Sequence, residues 1–223
     1  STCLVGSEMC IRDRLQRQAT TAQLFDVDVR ILDKEQIKKD YPIVNTDEVL
    51  GGILMPGDGA ADPSGVTHML AKAARMEGAK IFEKSPVDEI ITKNGKISGV
   101  KVNGQIIDCE YIVLASGMWS RQIGEKAGVS IPLYPAEHFY IITEPIENLS
   151  KTLPVIRDFD NRTYIKEDAG KILVGIFESQ SIPAWDKINK VPEDFSFGEF
   201  QENFEHFEPY LASAIKRFPI LET

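Results

Sequence analysis

The segment Ile112–Ser120 joins an apolar run to a group of small residues and then to a helix-like pattern. The run Ile112–Leu114 predicts a buried strand, Ala-Ser-Gly at 115–117 predicts a turn, and residues 119–128 predict a helix. Small side chains let a bulky ligand approach the backbone closely, and the amides of a first helical turn attract negative groups. This arrangement suits the diphosphate of a dinucleotide. Taken alone, the segment is more typical of an ordinary strand-to-helix turn.

Two other blocks give this turn its context. The first is the glycine-rich segment Leu50–Pro63, which contains Pro-Gly-Asp-Gly, and the second is Pro132–Tyr140, which ends in His-Phe-Tyr. Together with Trp119, these blocks occur in an order and spacing that resemble those of the D-amino-acid-oxidase-like flavoproteins. Among these proteins, the resemblance is to the dimethylglycine and sarcosine dehydrogenase branch. The resemblance extends from about Leu15 to the last residue. It implies an enzyme that uses FAD as its cofactor.

His138 and Tyr164 are the candidate catalytic residues. Histidine changes charge close to neutral pH and can therefore accept a proton from a substrate. The resemblance implies that His138 and Tyr164, on neighbouring strands, act together at the substrate amine. A single histidine on a strand is more often a hydrogen-bonded structural residue, and the match of its flanking residues favours the catalytic interpretation. For Tyr164, the alignment leaves the adjacent Thr163 as an alternative.

Four residues are candidates for binding the cofactor, and each rests on the resemblance. Ala115 and Gly117 belong to the small turn, Trp119 is the aromatic residue after it, and Val87 corresponds to the position whose backbone meets the adenine side of FAD. Viewed separately, Val87 would be a core residue and Trp119 a packing residue at a helix start. Ser116 departs from the alanine of many relatives, and its small side chain leaves room for the diphosphate.

Composition and charge limit the class of partner. The 223 residues carry a formal net charge of −9 and a mean hydropathy of −0.17, and no basic block offsets the negative charge. This charge argues against a nucleic-acid partner, and the longest apolar runs are far too short to span a membrane. We expect a small-molecule amine substrate, no binding of nucleic acid or membrane, and an electron acceptor whose identity stays open.

The cysteines and histidines indicate the compartment and argue against a metal site. Cys3 and Cys10 fall near the start of the chain, and Cys109 lies between two acidic residues in a predicted strand. This distribution predicts no disulfide framework and a reducing compartment, either the cytoplasm or, in a eukaryote, the mitochondrial matrix. With three histidines and no paired cysteines, we predict no metal ligands.

The sequence lacks two features of the family that it resembles. No GxGxxG turn, which holds the FAD diphosphate in the family, occurs in the 223 residues, and nothing like the family's closing glycine-rich block follows Pro219. Residues 1–13 show neither sustained periodicity nor similarity to the family, and we expect them to be a non-native leader, which is left out of the fold prediction. The sequence therefore predicts an internal fragment of a longer protein.

The predicted fold class is α/β (α+β), with a partial FAD-binding Rossmann-like domain that contains a β-meander and a mixed-sheet substrate domain. We expect residues 14–48 to form a helical part of the substrate domain, residues 49–130 the partial FAD-binding domain, and residues 131–223 the amine-binding substrate domain. The meander follows from Asn94-Gly95 and Asn103-Gly104, because Asn-Gly between apolar runs is the strongest short signal for a hairpin.

Capping patterns predict where several helices begin. Asp33, with Gln36 three residues later, predicts a capping box, and Asp62-Pro63 predicts a helix with proline at its first position. In the acidic C-terminal region, five apolar side chains recur at helical spacing, and we expect Pro209 to break this helix in two. Those side chains are Phe197, Phe200, Phe204, Phe207 and Leu211.

Taken with the resemblance, these features predict a fragment of an FAD-dependent amine dehydrogenase or oxidase. The expected reaction oxidises the C–N bond of a small N-methylated amino acid, of the dimethylglycine or sarcosine type, by hydride transfer to flavin. One alternative is a non-catalytic interaction protein that resembles the regulatory subunit of pyruvate dehydrogenase phosphatase, and another is an oxidase of a different small amino acid. The presence of both His138 and Tyr164 favours the enzyme. We expect the isolated chain to be inactive.

Overall fold

The computed structural model describes residues 2–6 and 8–222. The strands in this part of the chain are β1 (Thr2–Gly6), β2 (Arg30–Leu32), β3 (Gly51–Met55), β4 (Val87–Lys93), β5 (Lys96–Val102), β6 (Gln105–Asp108), β7 (Tyr140–Ile142), β8 (Val155–Asp158), β9 (Thr163–Asp168) and β10 (Lys171–Ile176). The α-helices are α1 (Met9–Gln23), α2 (Lys34–Asp40), α3 (Pro63–Met76), α4 (Ser120–Lys126) and α5 (Phe204–Arg217). Short 3-10 helices cover Gly117–Trp119 and Pro219–Glu222. Among these described helices, none has both the length and the apolar character needed to cross a membrane.

The chain forms two compact units. The first contains Ser1–Ala61, His138–Gln180 and Gln201–Thr223, and the second contains Asp62–Glu137 and Ser181–Phe200. The first unit holds a mixed seven-stranded sheet in the order β2-β3-β1-β8-β9-β10-β7, and the second holds the three-stranded sheet β4-β5-β6. The mixture of helices with one large and one small sheet confirms the predicted fold class.

Strand β1 lies in the interior of the seven-stranded sheet, where it pairs antiparallel with β3 and parallel with β8. Cys3 and Val5 are fully buried. The sequence of β1 is apolar at successive positions, as is typical of a strand that is covered on both faces. Residues 2–6 form β1 and residues 9–13 begin α1, so these parts of the predicted leader contribute to the fold. The non-native origin of the leader stays a prediction. Strand β3 shares this sheet, although the sequence pattern placed it in the FAD-binding part.

Different helices cover the two faces of the seven-stranded sheet. On one face, a core cluster that includes Ile156 and Val174 packs with Phe218, which directly follows α5. On the opposite face, Leu4 of β1 packs with Leu15 of α1. Each large apolar side chain that is buried contributes about 1.5–3 kcal/mol, so these clusters hold both helices on the sheet.

Side-chain caps define the starts of α2 and α3. The Asp33 carboxylate accepts a hydrogen bond from the Gln36 amide at 2.8 Å, and the Gln36 side chain accepts one from the Asp33 amide at 3.0 Å. Asp62 accepts hydrogen bonds from the backbone amides of Ser64 and Gly65. Because such caps satisfy backbone amides that have no partner within the helix, both predicted helix starts are confirmed.

The two Asn-Gly turns of the second unit adopt the left-handed backbone that such hairpins require. The φ angles are 52° at Asn94, 74° at Gly95, 49° at Asn103 and 79° at Gly104. Turns with positive φ at both central positions match the natural twist of the flanking strands. The predicted meander is confirmed as β4-β5-β6.

Residues 112–114 do not form the predicted strand. Val113 is 90% exposed, and the exposure of the run alternates from residue to residue as it would in a strand. Within the part of the chain that the structure describes, no strand pairs with this run. A β-strand requires a hydrogen-bonded neighbour, so an apolar pattern alone does not produce one.

The C-terminal aromatic residues also differ from the prediction. Helix α5 begins only at Phe204, where the Asn203 side chain accepts a hydrogen bond from the His206 amide at 3.1 Å. Phe197 has a φ of 48°, which is incompatible with a right-handed helix. The predicted break at Pro209 is wrong, because α5 continues through it. The missing amide of Pro209 removes one hydrogen bond near the helix start, and the buried side chains farther along hold the helix on the sheet.

Candidate active site

One row of paired residues crosses the seven-stranded sheet. The register places Leu4 beside Arg157, Arg157 beside Tyr164, Tyr164 beside Gly175, and Gly175 beside Tyr140. Directly paired residues point to the same side of a sheet, so the row shares the face on which α1 packs against Leu4. Tyr140 and Arg157 are exposed, and Tyr164 is half-buried. Beyond α1, this face therefore presents polar and aromatic side chains.

Gly175 provides the space that the Tyr164 ring occupies. A Cβ atom at Gly175 would overlap the Cζ, Cε1 and Oη atoms of Tyr164. The ring therefore lies directly against the backbone of β10. Gly175 is not among the residues predicted from the sequence, although an isolated glycine in the interior of a strand indicates a close approach of this kind.

His138 lies two residues before β7 and meets Tyr164 of β9. Its Nε2 atom is 3.4 Å from the Tyr164 Oη, and the two rings are nearly parallel, with 5° between their planes. Phe177 directly follows β10 and packs against both rings, with its centroid 5.9 Å from that of His138 and 5.3 Å from that of Tyr164. The structure thus brings the two candidate catalytic residues together, and their catalytic role stays a prediction.

Glu178 is the fourth member of this group, and the four residues are named the His–Tyr cluster. The Glu178 side chain is 4% exposed, and its Oε2 lies 3.8 Å from the His138 Nδ1. Its Oε1 is buried and has no hydrogen-bond partner among the described residues. Glu178 was not predicted, because a carboxylate just after an apolar strand is usually solvated and nothing in its flanking residues distinguishes it.

The surroundings of Tyr164 favour its neutral form. Burial raises the pKa of Tyr164, Arg157 lowers it, and Tyr140 and Glu178 raise it, with a net increase over the ordinary value. Tyr164 is therefore protonated at neutral pH and can donate a hydrogen bond. The Arg157 guanidinium lies 5.4 Å from the centroid of the Phe177 ring, which places a positive charge at the edge of the His–Tyr cluster.

The predicted cofactor-binding residues all lie in the second unit. Gly117 begins a 3-10 helix with a φ of 54°, and a Cβ atom there would have no described atom within 4 Å. Ala115 is exposed in the segment that precedes this helix. The Trp119 indole donates a hydrogen bond to the Pro192 carbonyl at 2.9 Å, which shows that Trp119 packs within the unit.

Helix α4 connects the fourth of these residues, Val87, with the turn. Lys126, at the end of α4, donates a hydrogen bond to the Val87 carbonyl at 3.4 Å. Earlier in α4, Gln122 exchanges two hydrogen bonds with the backbone of Val191, at 3.1 and 3.0 Å. The Lys126 contact links α4, which closely follows the turn, to the start of β4. The binding of FAD by these residues stays a prediction.

The chain belongs to the FAD-dependent oxidoreductase family, because residues 6–223 match the family model described as "DAO: FAD dependent oxidoreductase". The predicted branch is also confirmed, since sarcosine and dimethylglycine dehydrogenases are among the similar proteins.

The similar proteins are longer than this chain. The 4-methylaminobutanoate oxidase (formaldehyde-forming) of Paenarthrobacter nicotinovorans is 35% identical over 190 residues, which cover 85% of this chain and 23% of that protein. Human mitochondrial sarcosine dehydrogenase is 31% identical over 215 residues, with coverages of 94% and 23%. The mouse mitochondrial regulatory subunit of pyruvate dehydrogenase phosphatase is 30% identical over 212 residues, with coverages of 94% and 24%. This chain thus spans about a quarter of the length of the curated relatives it matches.

A solved structure shows the same fold. L-proline dehydrogenase from P. horikoshii superimposes with a TM-score of 0.81 at 25% identity, and the match covers 99% of this chain and 56% of that one. The similarity therefore includes both units and the sheet that carries the His–Tyr cluster.

Proposed function

We propose that this chain is part of an FAD-dependent enzyme that oxidises the C–N bond of a small N-methylated amino acid, of the dimethylglycine or sarcosine type. The observation that carries the proposal is the pairing of His138 with Tyr164 on the open face of the sheet. The names of two similar proteins, sarcosine dehydrogenase and 4-methylaminobutanoate oxidase, both refer to N-methylated amino acids and support this substrate class.

The aromatic side chains of this face suit a methylated amine. Aromatic rings attract methylated ammonium groups through their negative faces. Tyr164 and Phe177 are in contact, and Tyr140 lies across Gly175 from Tyr164. These three rings offer both an apolar surface for methyl groups and an attraction for the positive charge of the amine.

The residues present also fit FAD. Open space at Gly117 and the small side chain of Ala115 suit the approach of the diphosphate, with Val87 at the start of β4 and Trp119 directly before α4. Bound FAD would accept the hydride that leaves the carbon of the C–N bond. The side chains of the His–Tyr cluster would then hold the amine and manage its proton.

Tyr164 and His138 are suited to that proton. An alkylamine is protonated at neutral pH and must lose a proton before its nitrogen electron pair can assist the oxidation. The Tyr164 oxygen can accept a hydrogen bond from the ammonium group, and His138 can take up a proton. The His138 side chain is 46% exposed, so it can release this proton to water.

The test uses the flavin-bearing protein that contains this chain, assayed with sarcosine and dimethylglycine and an artificial electron acceptor. We expect His138→Ala to lower turnover by about 10²- to 10⁴-fold, because a general base is lost, while the flavin content stays near normal. The matched control is His68→Ala, since His68 is exposed on α3. Unchanged turnover in the His138 variant across the pH range would refute the assignment.

A non-catalytic interaction protein is the second candidate function. It is favoured by the 30% identity to the regulatory subunit of pyruvate dehydrogenase phosphatase. The contact between His138 and Tyr164 supports the enzyme instead, because an interaction surface does not require this pairing of proton-transfer groups. Normal flavin content with no turnover of any amine would favour the second candidate. Faster turnover of glycine or proline than of N-methylated substrates would favour an oxidase of another amino acid.

The proposed setting is a reducing compartment with a small-molecule substrate. Cys3, Cys10 and Cys109 are all free thiols, which is typical of cytoplasmic or mitochondrial-matrix proteins. Labelling of the intact protein in cell extracts with a thiol-specific reagent, before and after reduction, tests this setting. Equal labelling supports it, and an increase on reduction contradicts it.

A further inference from the structure

The Glu178 carboxylate is buried beside the histidine of the His–Tyr cluster. Its side chain is 4% exposed, its Oε2 lies 3.8 Å from the His138 Nδ1, and its Oε1 has no hydrogen-bond partner among the described residues. Burying a carboxylate is costly unless a donor or a positive charge lies nearby. Within the cluster, Phe177 packs against the His138 ring, with 5.9 Å between the ring centroids.

The chemistry of these groups indicates which atom carries each hydrogen. The Glu178 Oε2 lies 3.8 Å from the His138 Nδ1, which is within ion-pair range and longer than a hydrogen bond, and a carboxylate favours a hydrogen on the nitrogen that faces it. A neutral imidazole has one N–H, and the His138 Nε2 is then an acceptor. Since this Nε2 lies 3.4 Å from the Tyr164 Oη, Tyr164 must be the donor in that contact. The lone pairs of the Tyr164 oxygen are left free for another donor.

We propose that Glu178 is a positioning residue that holds His138 in the Nδ1–H tautomer and thereby sets the direction of proton movement, from a substrate nitrogen through Tyr164 to His138. The proton path rests on the proposed function. The tautomer of His138 depends only on side chains of this chain.

The proton step is balanced without any change of oxidation state. The N–H bond of the substrate ammonium breaks and its proton bonds to the Tyr164 oxygen, while the original hydroxyl proton of Tyr164 moves to the His138 Nε2. The products are a neutral amine, a neutral tyrosine and an imidazolium ion beside the Glu178 carboxylate. Glu178 stabilises this positive charge, as the buried carboxylate of a catalytic triad does. The Nε2 proton of the imidazolium then passes to water, which restores the Nδ1–H tautomer; the His138 side chain is 46% exposed.

Nitrogen NMR of the purified 223-residue chain tests the tautomer without flavin or substrate. The chain contains only three histidines, His68, His138 and His206, so their ring signals can be assigned with single variants. We expect neutral His138 to populate mainly the Nδ1–H form, whereas exposed His68 should show the Nε2–H form that free histidine favours. Glu178→Gln should shift His138 toward the Nε2–H form, because an amide can donate as well as accept. Glu144→Gln, at an exposed position just after β7, is the matched control and should change nothing.

A predominance of the Nε2–H form at His138 in the unmodified chain would overturn the proposal, and this result does not depend on whether any variant folds. An unchanged tautomer ratio in a folded Glu178→Gln chain would also overturn it. The predicted tautomer in a protein that oxidises no amine would support the role of Glu178 and contradict the proposed function. The two ideas can therefore fail separately.

Kinetics of the flavin-bearing protein supply the second measurement. We expect Glu178→Gln to lower kcat by about 10- to 100-fold with little change in KM, as is typical for residues that orient a catalytic side chain. Combining Glu178→Gln with Tyr164→Phe should cost little more than Tyr164→Phe alone, because the proton path already passes through Tyr164. If the fold losses in kcat of the two single variants multiply in the double variant, the two residues act independently, and a shared proton path is contradicted.

Discussion

At the scale of single residues, the geometry of the His–Tyr cluster depends on the absence of a side chain at Gly175. Gly175 leaves the space in which the Tyr164 ring lies, and the outer end of that ring carries the hydroxyl that meets His138. An added methyl group would push the ring end toward the open face of the sheet. This displacement costs little packing, but it separates Tyr164 from His138.

We expect Gly175→Ala to change the free energy of unfolding by no more than about 1 kcal/mol, because the strain of moving the ring is partly offset by the lower flexibility of alanine in the unfolded chain. Amine turnover should nevertheless fall as far as in Tyr164→Phe. Denaturant unfolding and steady-state kinetics measure the two effects. Gly57→Ala is the control, since a Cβ atom there has no described atom within 4 Å. Full activity in the Gly175 variant would show that the ring position is unimportant.

The pKa of Tyr164 predicts how stability responds to alkaline pH. Burial raises this pKa in the folded chain above the value of about 10 expected for an unfolded tyrosine. The folded state therefore holds the proton more tightly, and the resulting stabilisation is complete below about pH 10 and is lost as the pH rises through the folded pKa. We expect Tyr164→Phe to reduce the alkaline loss of stability, measured as the free energy of unfolding between about pH 9 and pH 11.

Tyr210 provides a control of opposite sign. Its hydroxyl oxygen accepts a hydrogen bond from the Ser179 amide at 3.1 Å, and hydrogen bonds from Ser179 lower the pKa of Tyr210. A lowered pKa contributes stability as the pH rises, so Tyr210→Phe should increase the alkaline loss. Equal pH profiles for the two variants would contradict the assigned environments.

At the scale of elements, a buried ion pair fixes α5 to the sheet. The Arg217 Nε donates to the Asp158 Oδ2 of β8 at 2.6 Å, and the two side chains are 6% and 0% exposed. We expect Arg217→Met to lower the free energy of unfolding by about 3–5 kcal/mol, because the Asp158 charge is left buried without its partner. Denaturant unfolding measures this loss.

The neighbouring residue Lys216 is the matched control for that experiment. Lys216 pairs with Glu48 at 2.9 Å, but both side chains are more than half exposed. Lys216→Met should therefore change stability little, because water screens exposed ion pairs. Similar losses in the two methionine variants would mean that burial does not govern the strength of these pairs.

The elements that were predicted correctly are those whose signals are local. The cap at Asp33 and the turns at Asn94-Gly95 and Asn103-Gly104 depend on hydrogen bonds and backbone angles within a few residues. The run 112–114 failed because strand formation depends on a distant partner. The aromatic spacing from Phe197 failed because residues outside a helix can share its periodicity by chance.

The residues of the candidate site also differ in whether the sequence around them carries a local signal. His138 and Tyr164 were found through motifs that surround them, and the structure places their side chains 3.4 Å apart. Glu178 and Arg157 come close to His138 and Tyr164 only because the strands pair and the chain folds back between them. Their own flanking residues carry no signal of this proximity. Gly175 lies between these cases, because a glycine inside a strand indicates that something approaches it without naming the neighbour.

At the scale of the whole molecule, we predict that the 223-residue chain by itself binds FAD weakly. The GxGxxG turn that supplies most diphosphate contacts in Rossmann-type domains is absent from its sequence. The visible absorbance of the purified chain and calorimetric titration with FAD test this prediction. Tight, stoichiometric binding of FAD would contradict it.

The position of Cys3 inside the large sheet has a consequence for measuring how often that sheet opens. Burial raises the pKa of the Cys3 thiol to about 12, and its side chain is fully inaccessible, whereas Cys10 is exposed. Because only an accessible thiolate reacts with an alkylating reagent, Cys3 becomes labelled only when β1 separates from its neighbours. The ratio of the labelling rates at Cys3 and Cys10 therefore reports how often β1 separates transiently from the sheet, with Cys10 as the internal reference for a thiol that is always accessible.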